Sequence, residues 1–120
     1  MKQTVALLMA LAFVVATSVA QAQDPVKVDP KHYKVEFEND QVRVLHIKYA
    51  PGEKSVMHEH PDGVAVFLTD QTVKFNYPDG KSEDMSSKAG ESRWTKGGAH
   101  QPENVGGTQV EVILVELKTK

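Results

Sequence analysis

Residues 108–117 read TQVEVILVEL, and no other run in the chain favours a β-strand as strongly. The run is rich in β-branched residues, which are enriched in strands. Similar, shorter runs precede it, and Gly, Pro, Asn and Asp separate them about every ten residues from residue 31 onward. This pattern is typical of an all-β domain.

The shorter runs predict the remaining strands. They are residues 33–38, 41–49, 55–60, 64–69, 72–77, 81–87 and 91–95. Residues 97–107 are rich in Gly and are predicted to be turn-rich loops, and no run after residue 22 has helical periodicity. About eight or nine short strands favour a sandwich, a barrel or a jelly roll.

Composition excludes several classes of protein. The chain has 120 residues, 14 Lys and Arg against 16 Asp and Glu, a formal net charge of −2 and no Cys. The lack of Cys excludes a disulfide framework, a thiolate zinc site and a Cys nucleophile. We expect no nucleic-acid partner, because proteins that bind nucleic acid usually concentrate positive charge on one face.

The first 22 residues have the pattern of a secretory signal peptide. One Lys precedes an apolar run over residues 5–16, and small residues follow it. Cleavage fits after Ala20 or after Ala22, and we favour Ala22. No Cys follows either site, as a lipoprotein would require, so we expect a periplasmic or secreted protein with no membrane attachment after cleavage.

Two of the five histidines, His58 and His60, lie two positions apart in the predicted strand 55–60. Residues i and i+2 share one face of a strand, and this face also carries Val56, which indicates that it points inward. Inward imidazoles are costly to bury unless something binds them. A mononuclear metal site is one interpretation, and a mutually satisfied or exposed pair is the other.

The spacing around the histidines resembles the two motifs of the cupin superfamily. The matching blocks are Gly52-x5-His58-x-His60 and Gly97-x2-His100-x3-Asn104. The resemblance is to a small single-domain cupin over residues 31–120, after the signal peptide 1–22 and an N-terminal extension 23–30. It implies a double-stranded β-helix, a jelly-roll barrel, with His58, His60 and His100 as the metal ligands.

The chain departs from the family pattern in the first motif. The family's Glu would fall at position 64 or 65, where this chain has Val64 and Ala65. The site therefore looks like the three-histidine variant of some cupin oxygenases. Three imidazoles can hold one divalent transition metal, Fe, Zn, Mn, Ni or Cu, and leave open positions for water or substrate.

Further side chains are assigned around this site. The residues predicted to line the pocket are Phe67, Trp94, Ala65 and Asn104. Glu59 alternates with the two neighbouring histidines and is predicted to point away from them. We interpret His46 as a satisfied structural residue, with a fourth metal ligand or a substrate contact as the alternatives, and His32 as solvated.

The resemblance implies a metal-dependent protein that takes a small molecule, and no catalytic residue is assigned. Three neutral ligands leave the charge of the ion uncompensated, which favours an anionic ligand. A dioxygenase-like or isomerase-like enzyme acting on a small organic anion is one hypothesis. A non-catalytic ligand-binding cupin and a structural cupin are the alternatives. We also expect a homodimer, because cupins are commonly dimers.

Overall fold

The computed structural model describes residues 23–119. Within this range a short helix, α1 (Pro25–Val28), precedes nine strands. These are β1 (Tyr33–Glu38), β2 (Val42–Tyr49), β3 (His58–His60), β4 (Gly63–Phe67), β5 (Gln71–Asn76), β6 (Ser82–Ser87), β7 (Ser92–Thr95), β8 (Gly98–Asn104) and β9 (Val110–Leu117). The all-β prediction is confirmed. The predicted signal peptide, 1–22, lies outside the described residues.

The strands form two antiparallel sheets that make a jelly-roll barrel. The five-stranded sheet has the order β1-β2-β9-β4-β7, and the four-stranded sheet has the order β3-β8-β5-β6. β9, which carries the most strand-like sequence, pairs with β2 on one side and with β4 on the other. The strongest local preference therefore lies at the centre of the larger sheet.

The hydrophobic core follows from the alternation of side chains along the strands. Inward positions of β2 and β9 supply Leu45, Ile47, Tyr49, Val110, Val112 and Leu114. Ala65 and Phe67 of β4 and Val73 of β5 complete the contact between the two sheets. The chain has no Cys and hence no disulfide. Folding therefore depends on the burial of these apolar surfaces.

Strand β8 corrects the prediction of a turn-rich segment at 97–107. Gly98 and Pro102 are poor strand formers and hide this strand in the sequence. β8 pairs with β3 on one side and with β5 on the other. Hydrogen bonds from both neighbours therefore override the weak local preference.

Strand β3 is shorter than the predicted strand 55–60 and covers only His58–His60. Val56, predicted to share the inward face with the histidines, is 48% exposed. The regular alternation does not reach Val56, because the backbone before His58 is not a continuous strand. His58 and His60 nevertheless point inward, at 1% and 6% exposure.

The N-terminal extension is tied to the barrel. The Asp24 carboxylate accepts a hydrogen bond from the Val26 N–H at 3.0 Å and caps α1. The Gln23 carbonyl accepts from the Glu59 N–H at 2.9 Å, and α1 contacts both β1 and β3. Within residues 23–119, no helix has the length and apolar character needed to cross a membrane.

We predict that Gly63→Ala destabilises the barrel. An alanine Cβ at this position would lie 2.3 Å from the Val115 carbonyl oxygen on the neighbouring strand β9, so the backbone must shift. Overpacking of this kind costs about 1–3 kcal/mol. Urea unfolding measures the difference, and Gly107→Ala is the control, because a Cβ at Gly107 meets nothing within 4 Å. Equal unfolding midpoints for the two variants would contradict the prediction.

Candidate metal centre

Three histidines converge on the inner face of the four-stranded sheet. His58 and His60 lie on β3, and the antiparallel register sets His58 directly opposite His100 on β8. One ring nitrogen from each histidine lies within 4.8 Å of the others. In the described part of the chain, this is the one group of metal-ligating side chains brought together in this way.

The three rings face one another edge to face. Their centroids are 4.7 Å apart for His58 and His60, 4.9 Å for His58 and His100, and 5.1 Å for His60 and His100. The first two pairs are perpendicular, and the third is inclined at 70°. Perpendicular rings can aim their nitrogens at a common point, as a metal site requires.

The orientation of His58 is set by the backbone. Its Nδ1 lies 2.7 Å from the Val56 carbonyl oxygen, which can only accept, so Nδ1 carries the proton. The Ser55 hydroxyl lies 3.0 Å from the same nitrogen and donates to the Asp29 carboxylate at 2.7 Å. The His58 Nε2 therefore presents a lone pair, which a metal ligand needs.

A carboxylate sets the orientation of His60. The His60 Nδ1–H donates to Glu116 Oε2 at 2.7 Å. The other oxygen of Glu116 accepts from Arg43 Nε at 2.7 Å, and the two terminal nitrogens of Arg43 donate to the Asp24 carboxylate at 2.8 and 3.0 Å. Such a carboxylate fixes the tautomer of a metal-binding histidine and makes its free nitrogen a better donor.

Burial keeps two of the imidazoles neutral. Desolvation, reinforced by the neighbouring His60, lowers the pKa of His58 to about 4. Desolvation and the other two histidines lower the pKa of His100 to about 3. Burial by itself would raise the pKa of Glu116, but the hydrogen bonds from His60 and Arg43 outweigh it and hold this pKa below its usual value. His58 and His100 are thus neutral, the form that binds metals, at neutral pH.

His100 provides the test of whether a metal fits. Its Nε2 is buried and has no hydrogen-bond partner in the described structure. A buried polar atom without a partner costs about 1–3 kcal/mol, so native structures rarely leave one unexplained. A metal bound by this nitrogen would remove that cost. The residues present therefore fit a transition metal held by three imidazoles.

The histidines lie at a cavity of about 510 Å³ between the two sheets. His60 and His100 are part of the cavity wall, whereas His58 is not. Tyr33, whose hydroxyl contacts the Nε2 of His58, is part of the wall. The remaining wall is mostly apolar and aromatic. Its cationic side chains are Arg93 and Lys96, and its anionic side chain is Glu83.

Comparisons with known proteins bear on this arrangement of barrel, histidines and cavity. No protein-family model and no curated protein matches the chain. Among solved structures, a cupin domain from Bordetella pertussis has a TM-score of 0.67 at 26% identity, covering 72% of this chain and 92% of that one. The chain has a cupin fold.

Two further structures have the same fold. A cupin superfamily protein from Desulfitobacterium hafniense has a TM-score of 0.55 at 11% identity, and the alignment covers 72% of this chain and 76% of that one. A cupin-2 domain containing protein from Shewanella frigidimarina has a TM-score of 0.50 at 20% identity, with 72% and 79% covered. At these identities the likeness concerns the fold of the cupin and not its activity.

The predicted pocket residues do not all lie on the cavity wall. Ala65 and Phe67 are buried on the cavity wall, and Trp94 lies on the wall but is 56% exposed. Asn104 lies away from the wall. Its amide donates to the carbonyls of Tyr49 and Thr108, and its oxygen accepts from Gly106, so it shapes the loop after β8.

The two remaining histidines, His32 and His46, lie outside the cluster. His32, predicted to be solvated, is only 7% exposed, because Asp29 binds its Nδ1 at 2.7 and 2.9 Å and Tyr49 stacks on its ring. His46 contacts Glu36 and Glu111 at 3.0 Å each, which agrees with its interpretation as a satisfied structural residue. Glu59 is exposed and points away from its neighbours, as predicted.

Sequence reasoning missed Glu116 and Tyr33. Glu116 had a readable signal, because it continues the buried alternation of Val110, Val112 and Leu114 along β9. An acid in the apolar phase of a strand needs a partner, and the partner found is a histidine of the cluster. Tyr33 had no such signal, since a buried tyrosine is an ordinary core residue.

We predict that Glu116→Gln weakens metal binding by about 10–100-fold, the usual effect of losing a carboxylate behind a metal-binding histidine. The amide keeps the shape of the side chain but loses the charge that polarises His60. Calorimetric titration with Zn²⁺ measures the change. Glu111→Gln is the matched control, because Glu111 lies on the same strand and binds His46 outside the cluster. Equal affinities in the two variants would show that Glu116 does not support the site.

Proposed function

We propose that this cupin is an exported protein that holds one divalent transition metal on His58, His60 and His100 and binds a small organic anion in the adjoining cavity. The observation that carries the proposal is the meeting of ring nitrogens from the three histidines, together with the buried His100 Nε2 that has no partner in the described structure. Neutral imidazoles suit Zn, Fe, Mn, Ni or Cu. When bound, such an ion supplies Lewis acidity and a template for substrate or oxygen.

Electrostatics support an anionic ligand. Three neutral nitrogens would leave the charge of a divalent ion uncompensated. The nearest carboxylate, Glu116, already has His60 and Arg43 as partners. The cavity wall adds two cations, Arg93 and Lys96, against the single anion Glu83. An anion such as a carboxylate or an enolate, with an apolar body, matches both the charge and the wall.

The absence of Glu at the first motif supports access for this ligand. Ala65 lies on the cavity wall and is buried, while Val64 does not contribute to the wall. A methyl side chain at Ala65 leaves space where the family's carboxylate would bind. The mostly apolar wall lowers the local dielectric constant and so strengthens charge interactions inside the cavity.

We propose dioxygenation or metal-assisted isomerisation of the anion as the reaction. The roles of the chain's own residues are to orient the bound anion and to exclude water from it. Non-catalytic binding of the same anion is the alternative, and it predicts that candidate anions are recovered unchanged, without oxygen uptake.

Export is part of the proposal and rests on the signal-like pattern of residues 1–22. We predict that the intact mass of protein isolated from its native compartment corresponds to a chain that begins at Gln23. A mass that corresponds to a chain beginning at Gln21 would support export with cleavage at the alternative site, after Ala20. Recovery of the chain from the membrane fraction with Met1 retained would contradict export.

We predict that chelator-treated protein binds one equivalent of Co²⁺ and that His100→Ala abolishes stoichiometric binding. Visible absorption follows the titration, and a later addition of azide reports an anion at the metal. His46→Ala is the matched control, because His46 binds two glutamates outside the cluster. If His100→Ala binds Co²⁺ as well as His46→Ala does, the assignment is wrong.

A further inference from the structure

Tyr33 lies between His58 and the cavity. It begins strand β1, is buried, and belongs to the cavity wall, which His58 does not reach. Its hydroxyl oxygen is 3.0 Å from the Nε2 of His58, and its ring packs edge to face on the same imidazole at 4.8 Å. Tyr33 therefore covers the nitrogen that a metal would use.

The hydrogen positions follow from the partners. The Nδ1 of His58 gives its proton to the Val56 carbonyl, so Nε2 has only a lone pair. The Tyr49 hydroxyl donates to the oxygen of Tyr33 at 2.5 Å. The proton of Tyr33 is therefore donated to the Nε2 of His58. Tyr33 and a metal compete for the same lone pair.

We propose that the Tyr33 hydroxyl is a ligand-binding group, which leaves His58 when the metal binds and then donates its hydrogen bond to the anion in the cavity. The proposal deepens the proposed function and rests on the metal being held by the three histidines. Tyr49 acts behind Tyr33 as a positioning residue, because its donated hydrogen bond polarises the Tyr33 O–H.

Two physical reasons favour this transfer. A buried hydroxyl that loses its acceptor is destabilised, so the displaced O–H must find a new one. The cavity is the space that Tyr33 faces, and an anion there accepts a stronger hydrogen bond than a neutral imidazole does. The ligand class that fits is an anion with an acceptor atom beside the one that binds the metal, as in a carboxylate.

The test compares Tyr33→Phe with wild-type protein, both stripped with chelator and titrated first with Co²⁺ and then with azide. Removal of the hydroxyl frees the His58 lone pair, so we expect Co²⁺ to bind about 3–10-fold more tightly, the equivalent of one hydrogen bond. Azide loses its donor, so we expect its affinity to fall by a similar factor. Opposite changes in the two affinities are the signature of the proposal.

The matched control is Tyr77→Phe, because the Tyr77 hydroxyl donates to Glu83 at 2.6 Å and does not contact the histidines. We expect its Co²⁺ affinity to equal that of wild-type protein. Tyr49→Phe provides a second test that keeps the Tyr33 hydroxyl. It should weaken azide binding by a smaller factor, about 2–3-fold, while Co²⁺ affinity changes little.

Each remaining outcome contradicts one of the two proposals. A Tyr33→Phe variant whose Co²⁺ affinity does not rise, or whose azide affinity does not fall, would overturn the role of Tyr33. If that variant does not fold by circular dichroism, an unchanged azide affinity in Tyr49→Phe would overturn it instead. Failure of wild-type protein to bind Co²⁺ would contradict the metal site itself and hence the proposed function.

Discussion

The pairing of β3 with β8 is the constraint on which the site depends, because it sets His58 opposite His100 although the two are far apart in sequence. β3 has only three residues, so its own ladder is short. The backbone contact from Ser55 to Pro102 at 2.9 Å extends the pairing on one side, and the contact from Glu59 to Gln23 holds the strand from the other. A slip by one residue would turn both histidines of β3 away from the cavity.

The N-terminal extension supports the site from two directions. Asp24 holds Arg43, which holds Glu116 and through it His60. Asp29, buried beside the barrel, accepts from the Ser55 hydroxyl next to His58 and also binds His32. The extension is short and carries none of the three histidines. Its acids Asp24 and Asp29 nevertheless form the outer ends of the hydrogen-bond chains that lead to His60 and His58. Removing one partner from such a chain leaves a buried charge without a counter-charge, so the extension and the cluster depend on each other.

The sequence predicted the all-β class, most strands and the shared face of His58 and His60, because strand alternation is local and regular. The addition of His100 to these two came from the resemblance to the cupin motifs. It did not predict β8, whose Gly and Pro are overridden by pairing on both sides. It placed Val56 on the inward face, although the strand begins only at His58. The burial of Glu116 could be read from the alternation along β9, but its pairing with His60 could not. That pairing, and the contact of Tyr33 with His58, arise from packing between distant strands.

Different interactions orient the three histidines, and this difference would affect the position of a bound metal. A carboxylate fixes His60 and a backbone carbonyl fixes His58, so the direction of each free nitrogen is set by a hydrogen bond. His100 is held by ring packing, with Phe75 at 5.1 Å on one side and the other imidazoles beyond. Packing contacts tolerate small rotations that a directional hydrogen bond resists. The two nitrogens of β3 would therefore fix the position of a bound ion, and His100, whose Nε2 has no competing partner in the described structure, would be the side chain able to adjust to the radius of that ion.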